Sequence, residues 1–384
     1  MRNSIFAEEL SGLRLTSNFR ALPKPDIDTA NYINLASNDY LGLASRWQQF
    51  MPEFTDRFSQ FGFSSSASRL LSSRQEIFYS LESLLENLYG KPALLFNSGY
   101  HANVGLTGTL AGIKDTCFVC DKLVHASVID GLRNSAATFR RFHHNDIVSL
   151  RKILSAEYEN FRNIIVVAES IYSMEGDIAP LKEIVALKQE FPGIMIYLDE
   201  AHAFGVRGDR GLGLAEELRL IGEIDFLIGT LGKAAASSGA FVICSVEAKD
   251  FFINKARSFI FSTALPPVNV AWSLLMIEKI TEMKEERKRL KVISETFKNN
   301  TEEISGKQNP SQSQIIPFIT GDTETAVRIA GFLRNEAGIF ALPIRRPTVP
   351  PGRECIRFSL SSSLSDEDII FVSQKLKEAT CLTK

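Results

Sequence analysis

Short apolar runs recur along the middle of the chain, separated by segments with helical spacing. Residues 93–96, 116–120, 163–168, 195–198, 225–229 and 239–244 are nearly continuous in hydrophobic side chains. A strand covered on one face alternates apolar and polar positions. Unbroken runs therefore predict strands buried on both faces, and hence a mostly parallel sheet. The stretch 180–190 opens on Pro180, which a first helical turn tolerates, and repeats leucine and isoleucine at helical spacing. From Pro266-Pro267 one long helical pattern runs to about Lys298. Its first half is apolar (Ala271, Leu274, Leu275, Ile277, Ile280) and its second, 284–289, is charged and reads as a solvated face. A polar loop over 299–314 is followed by strands near 315–319 and 355–360 and helices near 323–337 and 366–378. The pattern predicts an α/β chain in three parts. Residues 1–45 form an N-terminal segment with a helix, a turn around Pro23 and Pro25, and a short strand at 32–35. Residues 46–265 form a large domain with a mostly parallel sheet, and 266–384 a linking helix and a small C-terminal α+β domain.

Bulk properties narrow the classes. A chain of 384 residues suits two or three domains, and a formal net charge of −2 gives no sign of a nucleic-acid partner. No apolar stretch approaches the roughly 20 residues that span a bilayer, so no membrane partner is expected. Residues 1–19 lack an apolar signal-peptide core, and Glu8-Glu9 argues against a transit peptide, which makes a cytoplasmic location the expectation. Five cysteines, scattered and odd in number, do not suggest a disulfide framework. Cys117 and Cys120 form a CxxC within an apolar run. Their spacing puts them on opposite faces of a strand, so they read as core side chains.

The chemistry concentrates in two strings, Asp199-Glu200-Ala201-His202 and Thr230-Leu231-Gly232-Lys233, each closing an apolar run. Asp199, His202 and Lys233 would therefore meet at the carboxyl edge of one sheet, where open α/β sheets bind ligands. A carboxylate, an imidazole and a lysine converging there suit pyridoxal phosphate (PLP). The lysine forms the Schiff base, the aspartate keeps the pyridinium nitrogen protonated, and the ring serves as electron sink. The plainer alternative makes Asp199 a helix cap and Lys233 a solvated loop lysine. The string at 96–103, with Ser98-Gly99-Tyr100, follows a strand and enters a helical pattern, where small residues and a helix N-terminus favour an anion. His125 could lie against a pyridine ring, and Ser173 could donate to its hydroxyl. Asp-Glu-Ala-His also occurs in helicases, but the chain has no GxxxxGK[ST] loop, and one histidine near two acids is no zinc ligand set, so no metal is expected.

Taken together these strings resemble the α-oxoamine synthases, PLP enzymes of the aspartate-aminotransferase fold type, PLP-dependent transferase fold type I. The resemblance covers nearly the whole chain in order: SNDYLGL at 37–43, SGY at 98–100, HASVIDG at 125–131, SMEGD at 173–177, DEAHAFGV at 199–206, TLGK at 230–233, FSTALPP at 261–267 and RPTVPPG at 346–352. It implies that Lys233 tethers the cofactor and later serves as base, and that Asp199 pairs with the ring nitrogen. His202 and Ser173 would meet the ring hydroxyl, and His125 would stack on the ring. Gly99, Tyr100 and Thr230 would help hold the cofactor, with Ser262 and Thr263 reaching the phosphate bound by a second copy in a homodimer. Arg357 would bind the amino-acid carboxylate, a task that suits the guanidinium fork. Asn38, Arg20 and Thr348 would line the amino-acid and acyl-donor side, with Arg14 a rival to Arg20. The chain departs from the family pattern in places. Ser64-Ser65-Ser66-Ala67-Ser68-Arg69 replaces a Gly-rich stretch, so a backbone needing positive φ would be strained and the loop could take another path. Phe78 and Leu364 stand where histidines are common, and Ala234-Ala235-Ala236 replaces a glycine-containing string.

The reaction implied is decarboxylative condensation of an amino acid with an acyl thioester. The chain's length and its Arg346–Pro350 string favour the members of biotin synthesis, which join L-alanine to a pimeloyl thioester of CoA or a carrier protein. Siblings using glycine or serine with another acyl-CoA are the nearest alternative. A plain aminotransferase leaves the His125 and Thr348 segments unexplained, and an inactive partner subunit would be expected to lack Lys233.

Overall fold

The apolar runs fold into a sheet whose carboxyl edge gathers the motif strings. The structure, a computed structural model, describes residues 5–15, 19, 20, 22, 32–72, 75–346 and 348–381. The turn expected around Pro23 and Pro25 lies outside them. In chain order the strands are β1 (Ile33–Asn34), β2 (Ala93–Phe96), β3 (Thr116–Asp121), β4 (Thr138–Phe142), β5 (Asn163–Glu169), β6 (Met195–Asp199), β7 (Phe226–Thr230), β8 (Ala240–Ile243), β9 (Ile315–Ile319), β10 (Ile339–Phe340), β11 (Leu342–Ile344) and β12 (Cys355–Ser359).

The chain divides into two compact units, one of residues 39–173 and 177–289, the other of 1–38, 174–176 and 290–384. The larger unit holds a seven-stranded sheet in the order β2-β8-β7-β6-β5-β3-β4. β4, β3, β5, β6 and β7 run parallel, while β8 is antiparallel to both β7 and β2. Its interior packs Phe118, Val167, Tyr197, Ile228 and Val242, each large apolar side chain contributing about 1.5–3 kcal/mol when fully buried. Cys117 and Cys120 are buried free thiols in β3, and burial, the main cause, pushes the Cys117 thiol up to about 11. β4 is missing from the apolar pattern because it is an edge strand with mostly exposed side chains.

Where the sequence pattern suggested divisions at 45 and 265, those of the structure fall at 38 and 289. Tyr40, Leu41 and Leu43 are fully buried in the larger unit. The apolar half of the long helical pattern also packs there, with Val270, Ala271, Leu275, Met276, Ile277 and Ile280 fully buried. That pattern forms two helices, Pro267–Glu282 and Lys284–Ser305, interrupted at Met283 with φ −81 and ψ 51. Arg287 explains how the break is tolerated. It leaves the solvated face expected of its charge run, is nearly buried, and donates to the carbonyls of Ile280 at 2.6 Å and Asp209, satisfying a helix C-terminus that lacks its next turn.

In the smaller unit β11, β12 and β9 form an antiparallel sheet, with Arg357 opposite Leu342 and Pro317. β1 pairs in parallel with β10. The helix Thr323–Ala337 starts at Asp322, whose carboxylate accepts from the Thr325 amide, and stops at Gly338 with φ +63, where a residue without Cβ costs least.

Candidate active site

Parallel pairing places the ends of β5, β6 and β7 side by side: Glu169 is in register with Asp199, and Asp199 with Ile228, two residues before Thr230. Asp199 is nearly buried. Its Oδ2 accepts from Asn103 Nδ2 at 2.8 Å and its Oδ1 from the Ala201 amide at 2.9 Å, so both oxygens receive donors as an ionised carboxylate requires. Asn103 also donates to Ser127 Oγ at 2.9 Å and accepts from the Tyr197 hydroxyl at 2.6 Å. Ser127 Oγ lies 2.7 Å from His125 Nδ1, so a continuous chain of contacts joins Asp199 to His125. Burial pushes the His125 ring below its ordinary range, with Lys233 adding to the effect and Asp199 and Asp130 opposing it.

Lys233 Nζ lies 2.7 Å from His202 Nε2, and His202 Nδ1 lies 2.6 Å from the hydroxyl of fully buried Tyr40. When Lys233 is charged it donates to Nε2, and Nδ1 carries the ring proton toward Tyr40. When the amine is neutral the polarity of both bonds can reverse. Glu169 is buried beside this set, with its Oε1 lacking a hydrogen-bond partner among the described residues. Burial, reinforced by Asp199, holds its carboxyl well above the usual carboxylate range. Burial thus disfavours charge on Glu169, while the neighbouring Asp199 has a donor on each oxygen.

The helix Gly99–Ala111 carries the turn expected from sequence to favour an anion. Ser98 caps it, with Oγ accepting from the His101 amide at 3.2 Å. A methyl group on Gly99 would lie 3.9 Å from Thr230 Cβ and Oγ1, so the turn and the end of β7 face each other closely. Tyr100 is half exposed and donates to Asp130 Oδ2 at 2.9 Å, on the helix that His125 caps. Asn97 donates to Ser262 Oγ at 2.8 Å and to the Thr263 carbonyl at 2.6 Å, placing both residues beside this turn. The serine-rich loop keeps a left-handed residue, Ser66 at φ +50. It is tied to the 262–268 segment by the Ser68–Thr263 bridge and by Ala264 N–H to the Ala67 carbonyl at 2.9 Å. Phe78 is buried under the Arg69 guanidinium, 4.3 Å above its ring.

Ser173 is half-buried in a loop closed by the Ile171–Ile178 bridge. The remaining candidates belong to the smaller unit. Arg357 is nearly buried and donates to Ser359 Oγ at 2.6 Å and to Asn38 Oδ1 at 3.4 Å. Arg20 donates to Thr348 Oγ1 at 3.1 Å, while Arg14 lies over the Phe19 ring at 4.5 Å. Asn103, Ser127, Tyr197, Tyr40 and Glu169 carry much of this geometry and had no role assigned from sequence. Three of them lie inside strings already singled out, at 96–103, 125–131 and 37–43, which was the available signal.

The donor set fits PLP: an amine for its aldehyde, a buried carboxylate held by two donors for its ring nitrogen, imidazoles, and a helix N-terminus lined by small residues for its phosphate. Comparison with known proteins agrees. The family model "Aminotransferase class I and II" matches residues 30–374. The chain is 42% identical to the 8-amino-7-oxononanoate synthase of Haemophilus ducreyi over 382 residues, covering 95% of this chain and 98% of that protein. Among solved structures it superposes on the serine palmitoyltransferase of Sphingomonas wittichii with TM-score 0.87 at 30% identity, covering 99% and 97% of the two chains. The 8-amino-7-oxononanoate synthase of Francisella tularensis gives 0.76 at 26% identity, covering 92% and 98%. The chain belongs to the class I and II aminotransferase family, the fold type I PLP-dependent transferases. Within that class it is a PLP-dependent acyltransferase of the 8-amino-7-oxononanoate synthase type.

Proposed function

We propose that the chain condenses L-alanine with a pimeloyl thioester, of CoA or of a carrier protein, giving 8-amino-7-oxononanoate, carbon dioxide and free thiol. The observation that carries this reading is the convergence of Lys233, His202 and Tyr40 in one hydrogen-bonded row beside the Asn103-held Asp199. PLP, when bound, supplies the electron sink for the carbanion and for loss of carbon dioxide. Lys233 would tether it and, as a free amine, would take the α-proton of alanine. His202 lies within reach to share that proton. Asp199 holds the positive charge of the ring nitrogen, His125 packs on the ring, and His202 and Ser173 serve its hydroxyl. Gly99, Tyr100 and Thr230 hold the phosphate end.

Arg357, flanked by the neutral partners Asn38 and Ser359, takes the amino-acid carboxylate. Asn38, Arg20 and Thr348 line the side of the amino acid and acyl donor. The active form is a homodimer in which Ser262 and Thr263 of one copy serve the phosphate bound by the other. Phe63, Leu71 and Phe261, each more than two-thirds exposed, support this, because they lie on or beside the paired 62–68 and 262–268 segments. No helix among the described residues is long and apolar enough to cross a membrane, and a cytoplasmic location goes with this reading.

The likeness to serine palmitoyltransferase keeps a sibling reaction in view, with serine or glycine and another acyl-CoA. Incubating the purified protein with alanine, glycine or serine against acetyl-, succinyl-, pimeloyl- and palmitoyl-thioesters, and following thiol release, separates the two. Alanine with the pimeloyl thioester should give the highest kcat/KM. Highest kcat/KM with serine and a long-chain thioester overturns the reading.

A further inference from the structure

Asn103 occupies a position from which one side chain controls two others. It is buried on the second turn of the helix Gly99–Ala111, and all its polar capacity within the site is used. The orientation of its amide is forced by chemistry. With the amide turned over, its oxygen would face the Asp199 carboxylate at 2.8 Å, acceptor against acceptor. The nitrogen therefore faces Asp199 and Ser127, and the oxygen takes the Tyr197 hydroxyl proton.

The consequence runs onward through Ser127. Its Oγ receives a proton from Asn103, so its own hydroxyl proton is free to point at His125 Nδ1, 2.7 Å away. The Ser127 amide approaches the same Nδ1 at 3.3 Å, since His125 is the N-cap of the helix Ala126–Asn134. A ring nitrogen that receives two donors carries no proton. We propose that Asn103 is a positioning residue that sets two protonation states at once: it keeps Asp199 an acceptor and, through Ser127, fixes His125 as neutral imidazole with its proton on Nε2.

This rests on the roles given above to Asp199 and His125. It explains why the site tolerates an imidazole close to two cationic centres, the lysine and the ring nitrogen that Asp199 serves. An imidazolium at His125 would need a proton on Nδ1, and that proton would confront the Ser127 donors. The charged and titratable groups facing His125 are Asp199, Lys233 and Asp130, and the buried Glu169 accepts from its backbone amide. Burial and Lys233 favour the neutral ring, in the same direction as the hydrogen bonds.

The test is 15N NMR of the cofactor-loaded protein labelled at its five histidines, with His125 assigned by its absence in His125→Asn. A parallel readout is the pH dependence of the visible absorbance of the bound cofactor, which titrates its linkage to Lys233 and shifts when the charge at Asp199 changes. Wild-type His125 should show the Nε2–H tautomer near neutral pH. Ser127→Ala should raise the proton affinity of His125 about tenfold, one pH unit, and leave the absorbance profile in place. Asn103→Ala should move both readouts. If that variant does not fold, Tyr197→Phe, which removes the donor to Asn103 Oδ1 and loosens the amide against Asp199 and Ser127, should move both by a smaller amount. An Nδ1–H tautomer in the wild type, an unchanged His125 titration in Ser127→Ala, or an unchanged pair of readouts in Asn103→Ala or Tyr197→Phe overturns the proposal. None of these measurements depends on which amino acid or thioester is turned over, so failure of the substrate assignment leaves them readable.

Discussion

Replacing His144 by phenylalanine should destabilise the protein in a way that fades with rising pH. His144 bridges two carboxylates, with Nδ1 2.9 Å from Asp121 Oδ1 and Nε2 2.7 Å from Asp177 Oδ2, and Tyr172 stands edge-on at 4.4 Å. Burial works against a charge there, yet the hydrogen bonds to Asp121 and Asp177 outweigh it and push the ring up to about 10 from 6.5. A rise of that size corresponds to about 5 kcal/mol of preference for the charged ring. The net loss on substitution is smaller. The side chain is 22% exposed, and the acids keep other donors: the amides of Leu123 and Asn145 for Asp121, and the Asn145 side chain for Asp177. About 2–3 kcal/mol is the expected cost near pH 6.5. The sign follows from the raised value. The folded state binds the extra proton, so this stabilisation is complete below about 6.5 and is lost as pH climbs through about 10. Urea denaturation of both proteins at pH 6.5, 8 and 9.5 checks it. The gap between wild type and variant should narrow steadily across that series, and a gap independent of pH would refute the charged-bridge argument.

Lys233→Ala should abolish turnover together with the visible absorbance of the bound cofactor, and steady-state turnover in the variant would remove Lys233 from its role. Arg357→Lys keeps the charge but loses the planar fork, so KM for the amino acid should rise about tenfold, the equivalent of 1.4 kcal/mol. Initial rates at saturating thioester should show kcat changing much less, and equal loss in both constants would place Arg357 elsewhere in the reaction. Ala236 sits at φ +49 without a compensating side chain. Ala236→Gly should therefore raise stability by about 0.5–1 kcal/mol, and a lower urea midpoint would count against strain at that position.

The buried strands and the residues at their carboxyl ends were legible because each signal is local. An unbroken apolar run announces a strand buried on both faces, and the polar residue that ends it announces the sheet edge, as with Asp199 at the end of β6 and Thr230 at the end of β7. What could not be read depends on distance in sequence. Asn103 meets Asp199 across 96 positions and Tyr197 across 94. Tyr40 meets His202 across 162. No periodicity carries such pairings. The same limit explains the long helix after Pro266. Its residues all suit a helix, and the break at Met283 becomes tolerable only because Arg287 folds back onto the Ile280 and Asp209 carbonyls.

The serine loop at 64–69 shows how surrounding contacts can hold a backbone that its residues do not favour. Serine where glycine is usual raises the expectation of strain wherever the backbone needs positive φ, and Ser66 adopts φ +50. A left-handed residue with a Cβ costs roughly 1–2 kcal/mol, so something must hold it there. Locally, the Ser66 amide donates to Ser64 Oγ at 3.0 Å, and Ser65 Oγ reaches the Leu265 carbonyl at 2.7 Å. Beyond that, the bridge from Ser68 to Thr263 and the bond from Ala264 to Ala67 fasten the loop to the segment that carries Ser262 and Thr263. Several bonds of about 1 kcal/mol each exceed the strain of one residue. The course of the loop is therefore imposed by the segment it braces, and the missing glycine is felt as local strain in a path that the contacts still require.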